Sequence, residues 1–296
     1  MNSVLTLVAD PANPSSFPNT IAAVKARLQA LGIMDLKETW LKQDFALDLE
    51  FDGTLAKDDI QEAADACDFC LQGTEDRRKK LLLADMDSTI ITVECIDELA
   101  DFAGIKEQVS AITEQAMRGE LDFNEAFIAR VGMLKGLPEN VLEKTFEERV
   151  RLTPGARTLI QTVKKQNGTY TALVSGGFTY FTGKVRALTG FDMDDANELV
   201  FEGGKLTGKA KEPIVNSETK LENLKRLTKE LGLTPSQTLA VGDGANDIPM
   251  IEAAGLGIAF HAKPKAQAAA NAAIRHGDLT VLLYYQGYKA EEFVDS

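Results

Sequence analysis

Histidine and cysteine are scarce in this chain. Only His261 and His276 are present, which argues against a reaction built on imidazole acid–base chemistry. The three cysteines, Cys67, Cys70 and Cys95, are too few and too odd in number for a disulfide framework. Two histidines beside them supply too few ligands for a zinc site. Cys67-Asp-Phe-Cys70 has redox-motif spacing, but a thioredoxin-like site needs a matching βα context, so ordinary half-buried thiols are expected. Long apolar runs are also missing. None approaches the ~18–20 residues that cross a bilayer, so no membrane partner is expected. The opening MNSVLTLVADPANPSS lacks the basic and long apolar regions of a signal peptide, which makes the cytoplasm the expected compartment. Positive charge is short as well: 32 Lys plus Arg stand against 45 Asp plus Glu, a formal charge of −13. An acidic chain repels phosphate backbones, so nucleic acid is not an expected partner.

The hydrophobic share of 44% is ample for a buried core, and 296 residues suit two domains. Residues 1–72 read as strand, helix, strand, strand, helix, strand. The strands lie at Val4–Val8, near Met34–Leu41, at Ala46–Phe51 and around Phe69–Leu71. Helices are expected at Ile21–Leu31 and around Asp58–Ala66. This βαββαβ order predicts a small sheet with both helices on one face. It resembles the ACT-type regulatory fold, which implies an amino-acid effector or pairing with a second copy as a homodimer. A plain stabilising appendage is the competing reading. The charged stretch at 73–80 reads as a linker, and residues 81–296 as a second domain.

Leu81-Leu-Leu-Ala84 opens that domain as a strand covered on both faces. A helical pattern runs from about 90 to 150, and helices and strands alternate afterwards. The expected fold class is α/β, a doubly wound parallel sheet with a helical cap inserted after its first strand. Glu198–Leu206 reads as a hairpin turning at Gly203-Gly204. That reading disposes of a P-loop look-alike at 203–209, which carries Ala210 where a metal-binding hydroxyl is required.

Chemistry-bearing residues fall at strand ends, where open α/β sheets bind ligands. Asp85 and Asp87 follow the first strand and would point to the same side if its geometry continued. Gly242-Asp243-Gly-Ala-Asn246-Asp247 follows the apolar strand Leu239–Val241. So many carboxylates repel one another unless a hard dication offsets the charge, and Mg2+ suits carboxylates, water and a phosphate. Ser175-Gly176-Gly177 ends a third strand and offers a hydroxyl and backbone N–H groups to an anion. Thr219-Lys220-Leu-Glu222 reads as a capping box with Thr219 as N-cap, leaving Lys220 in the first turn for an anion to compensate. This inventory fits phosphoryl transfer to Asp85, with Asp87 as acid and base.

These motifs, in this order over about residues 78–285, resemble the haloacid dehalogenase superfamily and, within it, the phosphoserine phosphatases. Glu94 in its Cys-Ile-Asp-Glu setting, the run Phe123–Gly136 and Leu152-Thr-Pro-Gly155 carry the narrower likeness. The resemblance implies an aspartyl-phosphate route from phosphoserine to serine at the end of serine synthesis. It implies Asp85 as nucleophile and metal ligand, Asp87 as acid/base and main-chain ligand, Asp243 as ligand and Asp247 around metal-bound water. Ser175, Gly176, Lys220 and Asn246 would hold the phosphoryl group. Glu94 would take the substrate ammonium and Arg130 its carboxylate, which suits a bidentate guanidinium. Met117 and Phe123 would wall the pocket. Another small phosphomonoester as substrate, or amino-acid sensing through residues 1–72, are the alternative readings.

Overall fold

The computed structural model describes residues 2–117 and 121–294, apart from the side chains of Glu114, Ala116 and Met117. The chain begins with β1 (Ser3–Ala9), α1 (Phe17–Ala30), β2 (Lys37–Lys42), β3 (Ala46–Phe51), α2 (Asp58–Gln61) and β4 (Cys67–Gly73). The order matches expectation, but α2 is only four residues long. Turns follow it at 62–66, where Asp65 pairs with Arg275 at 2.6 Å, and Cys67 already opens β4.

β5 (Leu81–Ala84) leads into the helical insertion: α3 (Cys95–Phe102), α4 (Lys106–Met117), α5 (Phe123–Met133) and α6 (Asn140–Arg149). Then come α7 (Ala156–Asn167), β6 (Tyr170–Phe178), α8 (Thr179–Thr189), β7 (Met193–Asn197), β8 (Leu199–Glu202) and β9 (Lys205–Ala210). The chain closes with α9 (Ser217–Glu230), β10 (Thr238–Gly242), α10 (Ile248–Ala253), β11 (Leu256–Phe260), α11 (Pro264–Ala269), β12 (Ala272–Ile274) and α12 (Val281–Tyr285).

Ten strands form one sheet in the order β2-β3-β1-β4-β12-β11-β10-β5-β6-β7. The stretch from β12 to β7 is parallel throughout. β5 shows why its run is continuously apolar. Leu82 and Ala84 enter the core on one side of the sheet, and Leu81 and Leu83 enter that on the other.

The amino-terminal strands do not stand apart as a small sheet of their own. β4 pairs antiparallel with β12 through Phe69 and Ala273. Charge chemistry reinforces this seam. Buried Asp68 accepts N–H groups from Arg275 (2.6 Å), His276 and Gly277 (2.7 Å). Arg77, inside the expected linker, grips Asp48 with two 2.7 Å bonds and also reaches Thr6 and the carbonyls of Tyr284 and Tyr285. Asp48 is 2% exposed, so the stretch 73–80 is pinned rather than loose.

The cysteines are corrected too. All three are free and fully buried, because Cys67 and Cys70 sit on β4 and Cys95 on the inner face of α3. Burial pushes Cys67 and Cys70 up to about 12, which makes them inert thiols at neutral pH.

Two pairings anchor the insertion. Its entry and exit segments meet in an isolated antiparallel bridge at Ile91 and Leu152, with Thr153 N–H donating to Ile90 and Thr92 N–H to Arg151. The β8–β9 hairpin, turning at Gly203-Gly204 as expected, joins the loop after α5. Gly136 N–H donates to Leu206, and Leu206 N–H to Leu137, each at 2.8 Å. Among the described residues, no helix is long and apolar enough to cross a membrane.

Candidate active site at the carboxyl edge of the sheet

β5 stops at Ala84, and Asp85 continues extended for one residue (φ −70°, ψ 160°). Strand geometry does not persist to Asp87, contrary to the simplest expectation. The chain instead coils through Met86–Ile90, with Ser88 in the left-handed region at φ 56°. Asp85 and Asp87 are nevertheless both buried, at 5% and 8% exposure. Asp87 Oδ1 accepts the N–H of Cys95, the first residue of α3, so a helix start faces its carboxylate.

β10 lies beside β5 in parallel register, which brings the next loop to the same edge. One carboxylate oxygen from each of Asp85, Asp243 and Asp247 lies within 4.8 Å of the others. Asp247 Oδ2 accepts the N–H groups of Asp243 (3.1 Å) and Gly244 (3.0 Å), which folds the loop back on itself. A Cβ on Gly242 would collide with the Asp247 carboxyl, so the first residue of the motif must be glycine.

Lys220 is the counter-charge. It is 0% exposed, and its Nζ lies 2.6 Å from Asp85 Oδ1 and 2.6 Å from Asp247 Oδ1. Its place on the helix differs from expectation. The N-cap of α9 is Asn216, whose Oδ1 accepts from Glu218 and Thr219, and Thr219 is the third helical residue. Asn-x-x-Thr closes the capping box one turn before Thr-x-x-Glu could. Lys220 is thereby the fourth residue of α9 and turns inward.

The charge balance is poor. Burial raises Asp85 well above the usual carboxylate range, Asp247 adds to this, and Lys220 only partly opposes it. Burial also pushes Asp87 up to about 8, with Glu94 adding, and Asp243 up to about 7, with Asp247 adding. Burial works against the charge on Lys220, but Asp247 and Asp85 outweigh it and raise its pKa. The buried Lys220 ammonium thus pairs directly with two of three clustered carboxylates, and the third, Asp243, is only partly opposed by Lys220 and Lys263. An all-oxygen, acidic donor set of this kind fits a hard divalent cation.

A stability profile follows. The folded values of Asp87 and Asp243 lie above the ordinary 3.8. The folded state therefore holds extra protons between about pH 4 and pH 8, and the associated stability falls as pH rises through that window. With chelator present, Tm is expected to drop by roughly 5 °C or more between pH 5 and pH 8.5. A hard divalent cation at millimolar concentration should remove most of the drop. A pH-independent Tm in chelator, measured by scanning calorimetry, would contradict this charge balance.

Of the other expected residues, Glu94 and Arg130 come close enough to Asp87 for their charges to interact with it. Ser175 is buried in β6 just past Val174, where the regular pairing with β7 breaks, its Oγ accepting the N–H of Gly177 at 2.9 Å. Gly176 lies under the ring of Phe123, 3.2 Å from where a Cβ would stand. Phe123 in turn stacks on Phe127, their ring centroids 6.4 Å apart. Asn246 is half-buried in the loop between Asp243 and Asp247. Glu94 precedes α3 and is exposed, while Arg130 is half-buried on α5. Burial lowers Arg130 from the usual arginine range, opposed by the nearby charges of Asp97, Glu94 and Asp87. Met117 ends α4, but its side chain lies outside the described residues.

Two site residues escape the sequence reading. A Cβ on Gly177 would stand 2.8 Å from Asp87 Oδ2, so this glycine leaves room for the acid; it was visible only as the third letter of Ser-Gly-Gly. Ser88 donates its hydroxyl to Glu94 Oε1 at 2.6 Å, which no spacing rule announces.

Comparison with known proteins converges on one family. A model described as haloacid dehalogenase-like hydrolase matches residues 82–252. A phosphoserine phosphatase of Haemophilus influenzae is 49% identical over 203 residues, covering 69% of this chain and 64% of that protein. A solved probable phosphoserine phosphatase of Vibrio cholerae superposes with a TM-score of 0.74 at 32% identity, covering 98% of this chain and 88% of the other. A structure described as a substrate-bound phosphoserine phosphatase complex gives a TM-score of 0.65 at 42% identity, covering 70% of this chain and 98% of its own. The chain spans 64%, 60% and 53% of the length of three curated relatives that it matches.

Proposed function

The chain belongs to the haloacid dehalogenase-like hydrolase family, and from that premise we propose that it hydrolyses O-phospho-L-serine to L-serine and phosphate in the cytoplasm. The reading is supported above all by one observation: Asp85, Asp243, Asp247 and Lys220 converge at the carboxyl edge of the sheet beside Asp87.

Asp85 attacks phosphorus, and the bond to the serine oxygen breaks. Asp87 delivers its proton to that departing oxygen; with burial holding it up to about 8, it carries a proton at neutral pH. The same carboxylate then takes a proton from the water that cleaves the aspartyl-phosphate, which restores both aspartates. Ser175, Gly176, Lys220 and Asn246 hold the phosphoryl oxygens, with the buried Lys220 ammonium opposing their charge. Asp85, the main-chain oxygen of Asp87 and Asp243 would hold Mg2+, with Asp247 orienting its water. When bound, the ion neutralises charge on the phosphoryl group. The helical insertion, entered and left beside the Ile91–Leu152 bridge, would act as a lid that excludes water while serine departs. Glu94 receives the ammonium and Arg130 the carboxylate, one charge of each sign for a zwitterion. Residues 1–72 make an ACT-like unit suited to an amino-acid effector or a second copy.

The test is phosphate release by the full chain, with magnesium and with chelator, from phosphoserine and from phosphoethanolamine, which lacks the carboxylate. Phosphoserine turnover that needs magnesium is expected, and faster release from other esters would overturn the substrate. Arg130→Ala should raise KM for phosphoserine roughly 50-fold, the scale of a lost charge-assisted pair. It should change KM for phosphoethanolamine by less than about threefold. Equal losses on both substrates would remove Arg130 from its assigned role.

A further inference from the structure

Between β6 and β7 the register breaks. Val174 faces Asp195 and Phe178 faces Asn197, so four steps along β6 match two along β7. The surplus lifts Ser175, Gly176 and Gly177 out of the ladder, and the carbonyl of Gly176 loses its place in the strand pairing. The side chain of Asn197 answers it. Asn197 ends β7 and is 1% exposed. Its Nδ2 donates to Gly176 O at 2.9 Å and to Val215 O at 3.2 Å, and its Oδ1 accepts Val215 N–H at 2.8 Å.

Every partner is main chain, and the partners belong to two different anion-holding segments. One is the Ser175–Gly177 turn. The other precedes Asn216, the N-cap of the helix that carries Lys220. We infer that Asn197 is a positioning residue, which sets the Ser175 hydroxyl as a donor toward the phosphoryl group through the Gly176–Gly177 peptide.

The route is geometric. In a trans peptide the C=O and N–H point opposite ways. Fixing Gly176 O on Asn197 therefore aims Gly177 N–H away from it, onto Ser175 Oγ at 2.9 Å. With an oxygen lone pair so engaged, the serine keeps its proton for a ligand. The same amide holds Val215 and so fixes the distance between this turn and α9.

The inference rests on the phosphoryl-transfer reading, and its test separates the two. Wild type, Asn197→Ala, Ser175→Ala and the double variant are compared as full chains with magnesium. The assays are phosphoserine hydrolysis and inhibition by inorganic phosphate. Asn197→Ala should lower kcat/KM about 100-fold, the scale of a misplaced anion donor, and weaken inhibition by phosphate about tenfold. In the Ser175→Ala background the same change should cost less than about threefold, because the group being positioned is gone. Equal losses in both backgrounds, or unchanged phosphate inhibition, would overturn the inference by making Asn197 a purely structural amide. If Asn197→Ala does not fold, Asn197→Asp has the same shape and replaces the donor by an acceptor; the same collapse in the Ser175→Ala background is expected. A wild type inactive on phosphoserine refutes the substrate reading alone. Calorimetric titration of inorganic phosphate into the magnesium-loaded variants then decides the role of Asn197 by the same comparison.

Discussion

Asp85→Asn is expected to lower kcat by about 10⁴-fold or more, with the fold intact, because an amide cannot replace the carboxylate proposed to attack phosphorus. The surroundings make this variant unusually clean. Asp85 is 5% exposed, and burial together with Asp247 already disfavours its charge. Replacing it by a neutral isostere removes one member of a crowded acidic cluster. Lys220 keeps its second partner, Asp247, at 2.6 Å. Thermal stability in chelator should therefore hold or rise while turnover disappears. Acid quenching of wild type during turnover should trap an alkali-labile phosphoprotein, and the variant should give none. Turnover near wild type in Asp85→Asn would end the covalent route.

Lys220→Ala should damage both stability and rate. The ammonium is fully buried between Asp85 and Asp247, each 2.6 Å away, and no solvent can replace it. Breaking a buried pair from one side leaves uncompensated charge and costs about 3–5 kcal/mol. Here two carboxylates are left facing each other, so the upper part of that range is expected in chelator. Magnesium should return part of the loss, because it supplies positive charge to Asp85. On the proposed assignment of Lys220 as a donor to the phosphoryl oxygens, magnesium cannot return the rate, and kcat should stay about 10³-fold down. Urea unfolding with and without magnesium reads the first effect and steady-state kinetics the second. A variant as stable as wild type in chelator would show that Lys220 does not hold the cluster together.

The two aspartate loops were legible for a local reason. Leu81–Ala84 and Leu239–Val241 are pure apolar runs that end abruptly in Asp or Gly-Asp, and a strand buried on both faces has to exit at the functional edge. Two overlapping capping boxes compete at 216–222 and only packing selects Asn216, so Lys220 sits three residues deeper in its helix than a Thr219 cap would put it. β7 was missed because Met193-Asp-Asp-Ala-Asn197 is acidic and half-buried, which resembles a loop. Asn197 was hidden with it. β12 was missed because three residues carry no periodicity. The fusion of the sheet depends on Phe69 meeting Ala273, a contact across some two hundred positions that no window can register. Ser88 and Glu94 meet only because the chain coils after Asp85 instead of running on as a strand.

The fastening between β4 and the far end of the chain decides how this protein can be cut. Without the first seventy-eight residues, three main-chain amides at 275–277 would face bare solvent where Asp68 now answers them. The carbonyls at 284 and 285 would lose their guanidinium, and β12 would become a raw margin inviting foreign strands. Dissection into halves is thus a poor guide to either one, and the leading segment is a keel for the rest of the chain rather than a detachable passenger.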